Sequence, residues 1–314
     1  MSAHGASEFI ELSTTSGELQ SLSHSKTTIA PWKVVTGDFD LDGKTDYIVA
    51  SPGTTSEKGG VSFWRAGASS AWSEAASHKI GLGTYAVAAQ SGAVSGEVVA
   101  VGASYATQAL VPFIGHAGAT PTAGTSLTLD IKPTALLFGS NSRLYVIGNG
   151  PSRGRLIVYT SNGGALSKVS SSASFGKSLN DLKLGDLNGD GLTDVVAVDD
   201  SDSSSLFSLA VDAKFNWNIA AQRALPANSH AVTLDDFDRD GKLDCATISG
   251  STTTVQMCFG DGKGAFGNCI ELQHGVEQPT DIVSKDLNAD RWVDIIVVGY
   301  TGRVSVLHGA PSED

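Results

Sequence analysis

Short apolar runs bounded by polar and glycine-rich turns recur along the whole chain. Four of them directly follow an acidic turn: Tyr47–Ala50, Val195–Val198, Cys245–Ile248 and Ile295–Val298. A second apolar run comes about ten residues after the first one of a repeat, at Val61–Trp64, Leu156–Tyr159, Val255–Cys258 and Val304–Leu307. Their short length and β-branched residues predict strands, and no segment shows a useful length of helical periodicity.

The acidic turns share one nine-residue pattern, with acids or amides at positions 1, 3, 5 and 9. We number these acidic loops 1 to 4; they span residues 38–46, 186–194, 236–244 and 286–294. The last aspartates of loops 2 to 4 are 50 residues apart, and that of loop 1 lies 148 residues before that of loop 2. Two weaker copies therefore belong in the gap. They are found at residues 96–102, where Glu97 is near the aspartate position, and at residues 143–148, which have no acid.

Several short strands in each repeat of about fifty residues predict an all-β fold, a β-propeller. Six blades is the favoured count, and seven is the alternative if residues 1–30 form a partial blade. We expect a single domain over residues 1–314, with acidic-loop blades starting near residues 38, 186, 236 and 286 and degenerate blades near residues 88 and 136. The last blade lacks an outer strand, so an N-terminal strand at Leu19–His24 or Phe9–Leu12 is expected to pair with it and close the ring.

The net charge of −12 is concentrated in the acidic loops, which hold 14 aspartates. The acidity therefore indicates ion sites rather than an acidic binding face. A basic stripe for nucleic acid and a polybasic membrane patch are both missing from the sequence, and no apolar run reaches transmembrane length. The N-terminus does not resemble a secretory signal, which favours a cytoplasmic or non-classically secreted protein, or an extracellular one whose signal peptide was removed. The sequence does not determine the oligomeric state.

Three cysteines are present, and two of them flank a glycine-rich turn. Cys258 and Cys269 could face each other across a hairpin and form a disulfide. With so few cysteines, two free thiols are favoured over the disulfide.

The acidic loops offer the oxygen donors that calcium needs, six to eight carboxylate, amide or backbone oxygens. The side-chain donors are expected from positions 1, 3, 5 and 9 and a carbonyl from position 7. Glycines at position 6, Gly43, Gly191 and Gly241, are expected to adopt positive φ. The predicted ligands are Asp38, Asp40, Asp42, Lys44, Asp46, Asp186, Asn188, Asp190, Leu192, Asp194, Asp236, Asp238, Asp240, Lys242, Asp244, Asp286, Asn288, Asp290, Trp292 and Asp294.

Two other interpretations use similar residues. An EF-hand needs a glutamate at position 12, but Val49, Ala197, Thr247 and Val297 stand there inside the predicted strands, which excludes it. The aspartates could instead only cap β-turns. Four copies with the same odd-position acids favour calcium. Loop 4 has Arg291 in place of the glycine, and is expected to be the weakest site.

The Asp-x-Asp/Asn-x-Asp-Gly-x-x-Asp pattern before an apolar strand, together with Phe259-Gly-Asp-Gly-Lys-Gly-Ala-Phe266, resembles the FG-GAP/VCBS repeats of integrin α-subunit propellers. The resemblance covers residues 30–310, weakly over residues 85–150. It implies a calcium-binding propeller and leaves the ligand open, because this scaffold has many functions.

The chain is also similar in plan to the mushroom lectins with integrin-like propellers, which bind terminal sugars such as N-acetylglucosamine at repeated inter-blade pockets. That similarity implies glycans or glycoproteins as partners. Histidines and tryptophans between the blades suit sugar contacts. The candidate carbohydrate-binding residues are His24, His78, His230, His274, Trp32 and Trp72.

An enzyme is not expected. The chain contains no His-Glu-x-x-His or Gly-x-Ser-x-Gly pattern, and the Gly-x-Gly-x-x-Gly match at residues 262–267 lies in a β-turn context. A protein-interaction module of integrin type and a polysaccharide lyase or hydrolase remain the alternatives to a lectin.

Overall fold

A computed structural model describes residues 2–3, 8–15, 18–26, 31–54, 58–66, 72–140 and 142–310. For residues 2–26, and for Lys58 and Ala66, only the strand backbone is described. The contacts divide the chain into two compact units, residues 1–12 with 21–171 and residues 13–20 with 172–314. The described residues form strands and turns and contain no helix, which confirms the all-β prediction.

Each fifty-residue repeat forms one antiparallel sheet, which we call a blade. The first unit contains blades 1 to 3. Blade 1 consists of β4 (Lys33–Gly37), β5 (Asp46–Gly53), β6 (Lys58–Ala66) and β7 (Trp72–Lys79). Blade 2 consists of β8 (Ala86–Ala89), β9 (Val98–Ser104), β10 (Ala109–His116) and β11 (Ala119–Ala123), with β12 (Leu127–Thr128) paired to β10. Blade 3 consists of β13 (Lys132–Phe138), β14 (Arg143–Asn149), β15 (Gly154–Asn162) and β16 (Ala165–Ser171).

The second unit contains blades 4 to 6. Blade 4 consists of β17 (Leu179–Gly185), β18 (Asp194–Asp199), β19 (Ser205–Val211) and β20 (Trp217–Ala224). Blade 5 consists of β21 (Ser229–Asp235), β22 (Asp244–Ser249), β23 (Thr254–Gly260) and β24 (Phe266–Gln273). Blade 6 has three strands, β25 (Pro279–Lys285), β26 (Asp294–Gly299) and β27 (Val304–Leu307). The two degenerate copies predicted from the sequence thus form blades 2 and 3.

Two predicted N-terminal strands are present, but their predicted pairing is wrong in the described sheets. β1 (Ser2–Ala3), β2 (Glu8–Thr15) and β3 (Glu18–Lys26) form a three-stranded sheet of their own, and blade 6 keeps three strands. Only residues 16 and 17 separate β2 from β3. Because closing so short a connection costs little chain entropy, local pairing is favoured over pairing with a strand almost 300 residues away.

The core lies between neighbouring blades within each unit. The second strands are the most buried: every residue of β9, β18 and β22 is buried. Between blades 1 and 2, the ring of Phe63 makes edge contacts with Phe39 and Phe113 at centroid distances of 5.0 and 5.1 Å. Residues that alternate along a strand reach both faces of a sheet, so strands buried on both faces need the continuous apolar runs seen in the sequence.

The three cysteines lie in one row across blade 5. Cys245 is opposite Cys258 in the β22–β23 ladder, and Cys258 is opposite Cys269 in the β23–β24 ladder. Cys258 and Cys269 form a disulfide, with Cα atoms 4.0 Å apart, so the expectation of two free thiols is wrong. The strand register, which the sequence does not show, places them directly opposite each other. Cys245 is a buried thiol.

Antiparallel order gives every blade two distinct ends. The turn between the first and second strands and the turn between the third and fourth strands lie at one end, which we call the acidic-loop end. The turn between the second and third strands and the connection to the next blade lie at the opposite end. The strand order therefore separates the predicted ion sites from most of the predicted sugar contacts.

Candidate functional site

Acidic loops 1 to 4 connect the first and second strands of blades 1, 4, 5 and 6. In all four, the position 1 aspartate accepts a hydrogen bond from the backbone N–H of position 6, at 2.8–2.9 Å. The position 5 aspartate accepts one from the N–H of position 7, at 2.7–2.9 Å. These bonds fold each loop tightly around its own carboxylates, as the turn-capping interpretation requires.

The position 9 aspartate is the buried anchor of each loop. Asp46, Asp194, Asp244 and Asp294 are at most 3% exposed. Each accepts a hydrogen bond from the N–H of position 2, at 2.8–3.3 Å. The second oxygen of Asp194, Asp244 and Asp294 accepts a bond from the N–H of a residue at or just after the end of the third strand, at 2.8–3.2 Å. This carboxylate therefore joins the turn to the sheet.

Burial has a cost for these anchors, because it disfavours the charged form. Burial raises the pKa of Asp46 to about 6, and the neighbouring Asp40 carboxylate adds to the increase. Burial likewise raises the pKa values of Asp194 and Asp244. A bound cation would reverse this effect by stabilising the ionised carboxylates.

Backbone geometry confirms the predicted role of the loop glycines. Gly43, Gly191 and Gly241 have φ of 84°, 80° and 84°. Arg291 occupies the same position of loop 4 with φ of 73°, so loop 4 keeps the backbone shape without the glycine. Position 4 is a second left-handed position that sequence reasoning missed: Leu41, Gly189, Arg239 and Ala289 have φ of 60–75°.

Loops 1 and 3 bring three carboxylates together. One oxygen each from Asp38, Asp40 and Asp42 lie within 4.8 Å of one another. The same is true of Asp236, Asp238 and Asp244. Loops 2 and 4 have asparagine at position 3, and the described residues show no three-carboxylate group there.

Two carboxylate oxygens in these groups favour the metal-site interpretation over turn capping alone. The Oδ1 atoms of Asp40 and Asp236 are buried, with no hydrogen-bond partner among the described residues. Carboxylate oxygens that are desolvated and unpaired cost free energy, and a hard cation would satisfy them. The donor set therefore fits calcium in loops 1 and 3. Lysines pair with the outer carboxylates: Lys44 with Asp42 at 2.8 Å, and Lys242 with Asp240.

The predicted carbohydrate-binding residues fall into separate groups: Trp32, Trp72 and His78 lie in or next to strands of blade 1, and His230 and His274 lie in blade 5 and its connection to blade 6. At the acidic-loop end, the ring of Trp72 packs 4.0 Å from that of Tyr47. Near the opposite end, His78 is half-buried against the rings of Phe63 and Phe113, at 5.9 and 5.0 Å. Trp32 is 45% exposed. The side chain of His24, in β3, lies outside the described residues.

The remaining two histidines brace the connection between blades 5 and 6. His274 is 6% exposed; its Nδ1 accepts a hydrogen bond from the Val276 N–H at 3.0 Å, and burial lowers its pKa. The ring nitrogens of His230 lie 3.0 and 2.8 Å from the carbonyl oxygens of Asn228 and Pro279.

An open, shallow cleft of about 510 Å³, with a lining of mixed polarity, lies next to these histidines, at the opposite end of blades 5 and 6. Eight residues line it: Gly250, Ser251, Thr252, Thr253, Thr254, Glu271, Glu277 and Gln278. Neither histidine lines the cleft, although the His274 N–H donates to the Thr253 carbonyl at 3.0 Å. Sequence reasoning missed these residues. The signal available was a hydroxyl-rich run, residues 251–254, at a turn between two strands.

Comparison with known proteins supports the repeat assignment. The family model described as an FG-GAP-like repeat matches residues 186–247, which include acidic loops 2 and 3. No curated protein sequence matches the chain. The fold and repeats together define a six-bladed, FG-GAP-repeat β-propeller.

Solved structures share this fold at low sequence identity. A protein from Lactobacillus plantarum is similar with a TM-score of 0.73 and 16% identity, over 99% of this chain and 95% of that one. A functionally unknown protein from Desulfotomaculum acetoxidans is similar with a TM-score of 0.66 and 12% identity, over 97% of both chains. At such identities the likeness establishes the fold alone. In the described residues, no helix is both long and apolar enough to cross a membrane.

Proposed function

We propose that this chain is a calcium-stabilised carbohydrate-binding propeller, a lectin, that takes a terminal sugar of the N-acetylglucosamine type in the cleft of blades 5 and 6. The cleft is the observation that carries the proposal. Its volume of about 510 Å³ is enough for a sugar ring, and because the cleft is open to solvent we expect a weak site.

The chemistry of the cleft suits a polyol. Ser251, Thr252, Thr253 and Thr254 line the cleft with hydroxyls. Those of the first three donate to oxygens of Ala227, Thr254 and Gln273, at 2.8, 3.4 and 3.4 Å, so toward a sugar they would act as acceptors. Glu271 and Glu277 contribute carboxylates that accept from sugar hydroxyls, and Gln278 adds an amide. Charged acceptors make the stronger hydrogen bonds, so the two glutamates are expected to fix the orientation of the sugar.

The repeat supports more than one pocket. Fifty residues earlier, the corresponding turn of blade 4 contains Ser201, Ser203 and Ser204, and Asn228 occupies the position of Gln278. Hydroxyl and amide groups therefore recur at the same position of the next repeat. Ala221 and Ala227 occupy the positions of Glu271 and Glu277, so a site there would lack the two carboxylates and bind more weakly. Several weak sites on one chain would bind clustered glycans more tightly than any single site does.

Calcium has a structural role in this proposal. The acidic loops lie at the other end of the blades from the cleft, so their ions would not touch the sugar. They would fix the turn between the first two strands, from which the cleft-bearing strands continue. An ion that binds only the folded chain stabilises it by mass action.

A glycan array tests the proposal. We expect binding of glycans with terminal N-acetylglucosamine by the calcium-loaded chain, and weaker binding after chelation and warming, when the fold loosens. Glu277→Gln should reduce the signal, whereas Glu74→Gln, an exposed glutamate in blade 1, should leave it unchanged. An array with no glycan signal would remove the lectin function and leave the protein-interaction module.

Two carboxylates in one cleft also keep a hydrolase as the second candidate, because glycoside hydrolysis uses a pair of carboxyl groups. Incubation with polysaccharides, followed by an assay for new reducing ends, separates it from a lectin. Release of reducing ends that is lost in both Glu271→Gln and Glu277→Gln would establish the enzyme.

A further inference from the structure

A second surface, in the first unit, combines exposed aromatic rings with a cation. We call it the aromatic surface; it consists of Trp32, Leu82, Tyr85, Tyr105 and Lys132. Trp32, Leu82 and Tyr85 are 45%, 39% and 37% exposed. All five residues lie at the end of blades 1 to 3 opposite the acidic-loop end.

Ring contacts link these side chains into a row. The Trp32 and Tyr85 ring centroids are 5.2 Å apart, and those of Tyr85 and Tyr105 are 6.2 Å apart, both edge to face. The Lys132 Nζ lies 5.1 Å from the Tyr105 ring centroid. Three such steps reach further than a single sugar, so the row suits a short oligosaccharide rather than a monosaccharide.

Backbone hydrogen bonds fix the centre of this row. The Gly83 N–H donates to the Pro52 carbonyl at 2.8 Å, and the Tyr105 N–H donates to the Gly83 carbonyl at 2.9 Å. Gly83 has φ of 69°, and a Cβ there would lie 3.1 Å from atoms of both Tyr85 and Tyr105. A glycine is thus required where the two tyrosines meet. Exposed rings on a fixed backbone lose little entropy when they bind a ligand.

Charge selects the kind of ligand. Lys132 is exposed, and the nearest acid along the chain, Asp130, is paired with Arg155. Residues 1–171 contain eleven basic and eleven acidic side chains, whereas residues 172–314 contain ten basic and twenty-two acidic ones. The whole net charge of −12 therefore belongs to the second region. An anionic ligand meets a neutral region and a lysine at the aromatic surface, but carboxylates in the cleft of blades 5 and 6.

We propose that the aromatic surface binds an acidic oligosaccharide, with pyranose rings against Trp32 and Tyr85 and a carboxylate or sulfate at Lys132. The inference rests on the proposed function for its ligand class, carbohydrate, but it concerns a separate site. Sugar rings present apolar faces that aromatic side chains cover, and the ammonium group supplies the selectivity for the acid.

Calorimetric titration with three probes tests the inference: tetragalacturonate, its neutral methyl ester, and a sulfated oligosaccharide of similar length. The wild-type chain should prefer an acidic probe to the ester, and the preference should shrink as salt is raised. Lys132→Met keeps the apolar stem and removes the charge. It should cut affinity for the acidic probe about two- to fivefold, to that of the ester. Binding of the carboxylate or the sulfate probe alone identifies which acid group is recognised.

Two further variants keep the outcome clear. Tyr85→Ala should weaken the acidic and neutral probes alike, by about tenfold, because it removes stacking. Glu74→Gln, an exposed position of blade 1 outside both proposed sites, should leave both unchanged. Equal affinity for acid and ester, or a preference that survives Lys132→Met, would overturn the inference. If Glu277→Gln weakens N-acetylglucosamine binding in the same experiment, the lectin proposal stands even when the inference about the aromatic surface fails.

Discussion

Blades 1 to 3 and blades 4 to 6 have the same sheet order but different turns. In the second set, every blade has an acidic loop, and in the first set only blade 1 does. Two hydrogen bonds between Val94 and Glu97 hold the β8–β9 turn of blade 2. The Val94 N–H donates to Glu97 Oε2 at 3.1 Å, and the Glu97 N–H donates to the Val94 carbonyl at 3.0 Å. In blade 3 the Gly139 N–H donates to the Arg143 carbonyl at 2.8 Å.

The difference shows that the blade does not need the acidic loop in order to form. Ordinary turn hydrogen bonds are enough to join the first two strands. Acidic loops 1 and 3 go beyond that need, because each gathers three carboxylates and leaves one buried oxygen, of Asp40 or Asp236, without a hydrogen-bond partner among the described residues. A bound cation, as we propose, would offset the electrostatic cost of this arrangement.

Chelation should give the largest effect. Removing calcium with EGTA should lower the melting temperature, because each site filled at a hundred times its Kd contributes about 2.7 kcal/mol. Hydrogen exchange should rise most in blades 4 to 6 and least in blades 2 and 3, which have no acidic loop. A uniform rise across all blades, or no change, would break the comparison.

The buried anchor of an acidic loop should matter more than its counterpart in a degenerate turn. Asp244→Ala leaves the N–H groups of Phe237 and Gly260 without their acceptor and should cost about 2–4 kcal/mol of unfolding free energy. Glu97→Ala removes one half-exposed acceptor and should cost at most about 1 kcal/mol. Urea denaturation of both variants in EGTA measures these costs without calcium. Equal costs would show that both turn types depend on their acids to the same extent.

Exchanging the residues at position 6 tests the backbone strain in loop 4. Arg291→Gly should raise the unfolding free energy by about 0.5–1 kcal/mol, because Arg291 is held at a φ of 73°. The reciprocal Gly241→Arg in loop 3 should lower the unfolding free energy by about 1 kcal/mol. Backbone strain alone would cause this loss, because a Cβ at Gly241 would have no other atom within 4 Å. A loss of stability in Arg291→Gly would mean that the arginine side chain, and not the backbone, governs this loop.

The smallest expected effect is a loss of unfolding free energy at acidic pH. Burial holds the pKa of His274 below its ordinary value of 6.5, so the unfolded chain binds a proton more readily there than the folded chain does. Its contribution to stability is therefore full above pH 6.5 and is lost as the pH falls below that value. Compared with His274→Gln, the wild-type chain should show a steeper fall in unfolding free energy from pH 7 to 5. Parallel pH profiles would contradict this assignment.

The repeat, the strands and the positive φ of the loop glycines were predictable because each depends on residues close together in sequence. Gly241, for example, sits at a fixed place in a nine-residue motif. The Cys258–Cys269 disulfide and the cleft were not predictable, because they depend on strand register and on side chains brought together from separate turns. Glu271 and Thr253 meet only through the β23–β24 hairpin. The pairing of the N-terminal strands was missed because local hairpins compete with ring closure.

Direct calcium titration of the metal-free chain tests the central claim, that the acidic loops hold calcium. Isothermal calorimetry should find up to four bound ions per chain, with loops 1 and 3 the tightest and loop 4 the weakest. Asp38→Asn should remove one tight site, and the control Glu74→Gln should remove none. Absence of calcium binding by the folded chain would show that these aspartates serve only to cap turns.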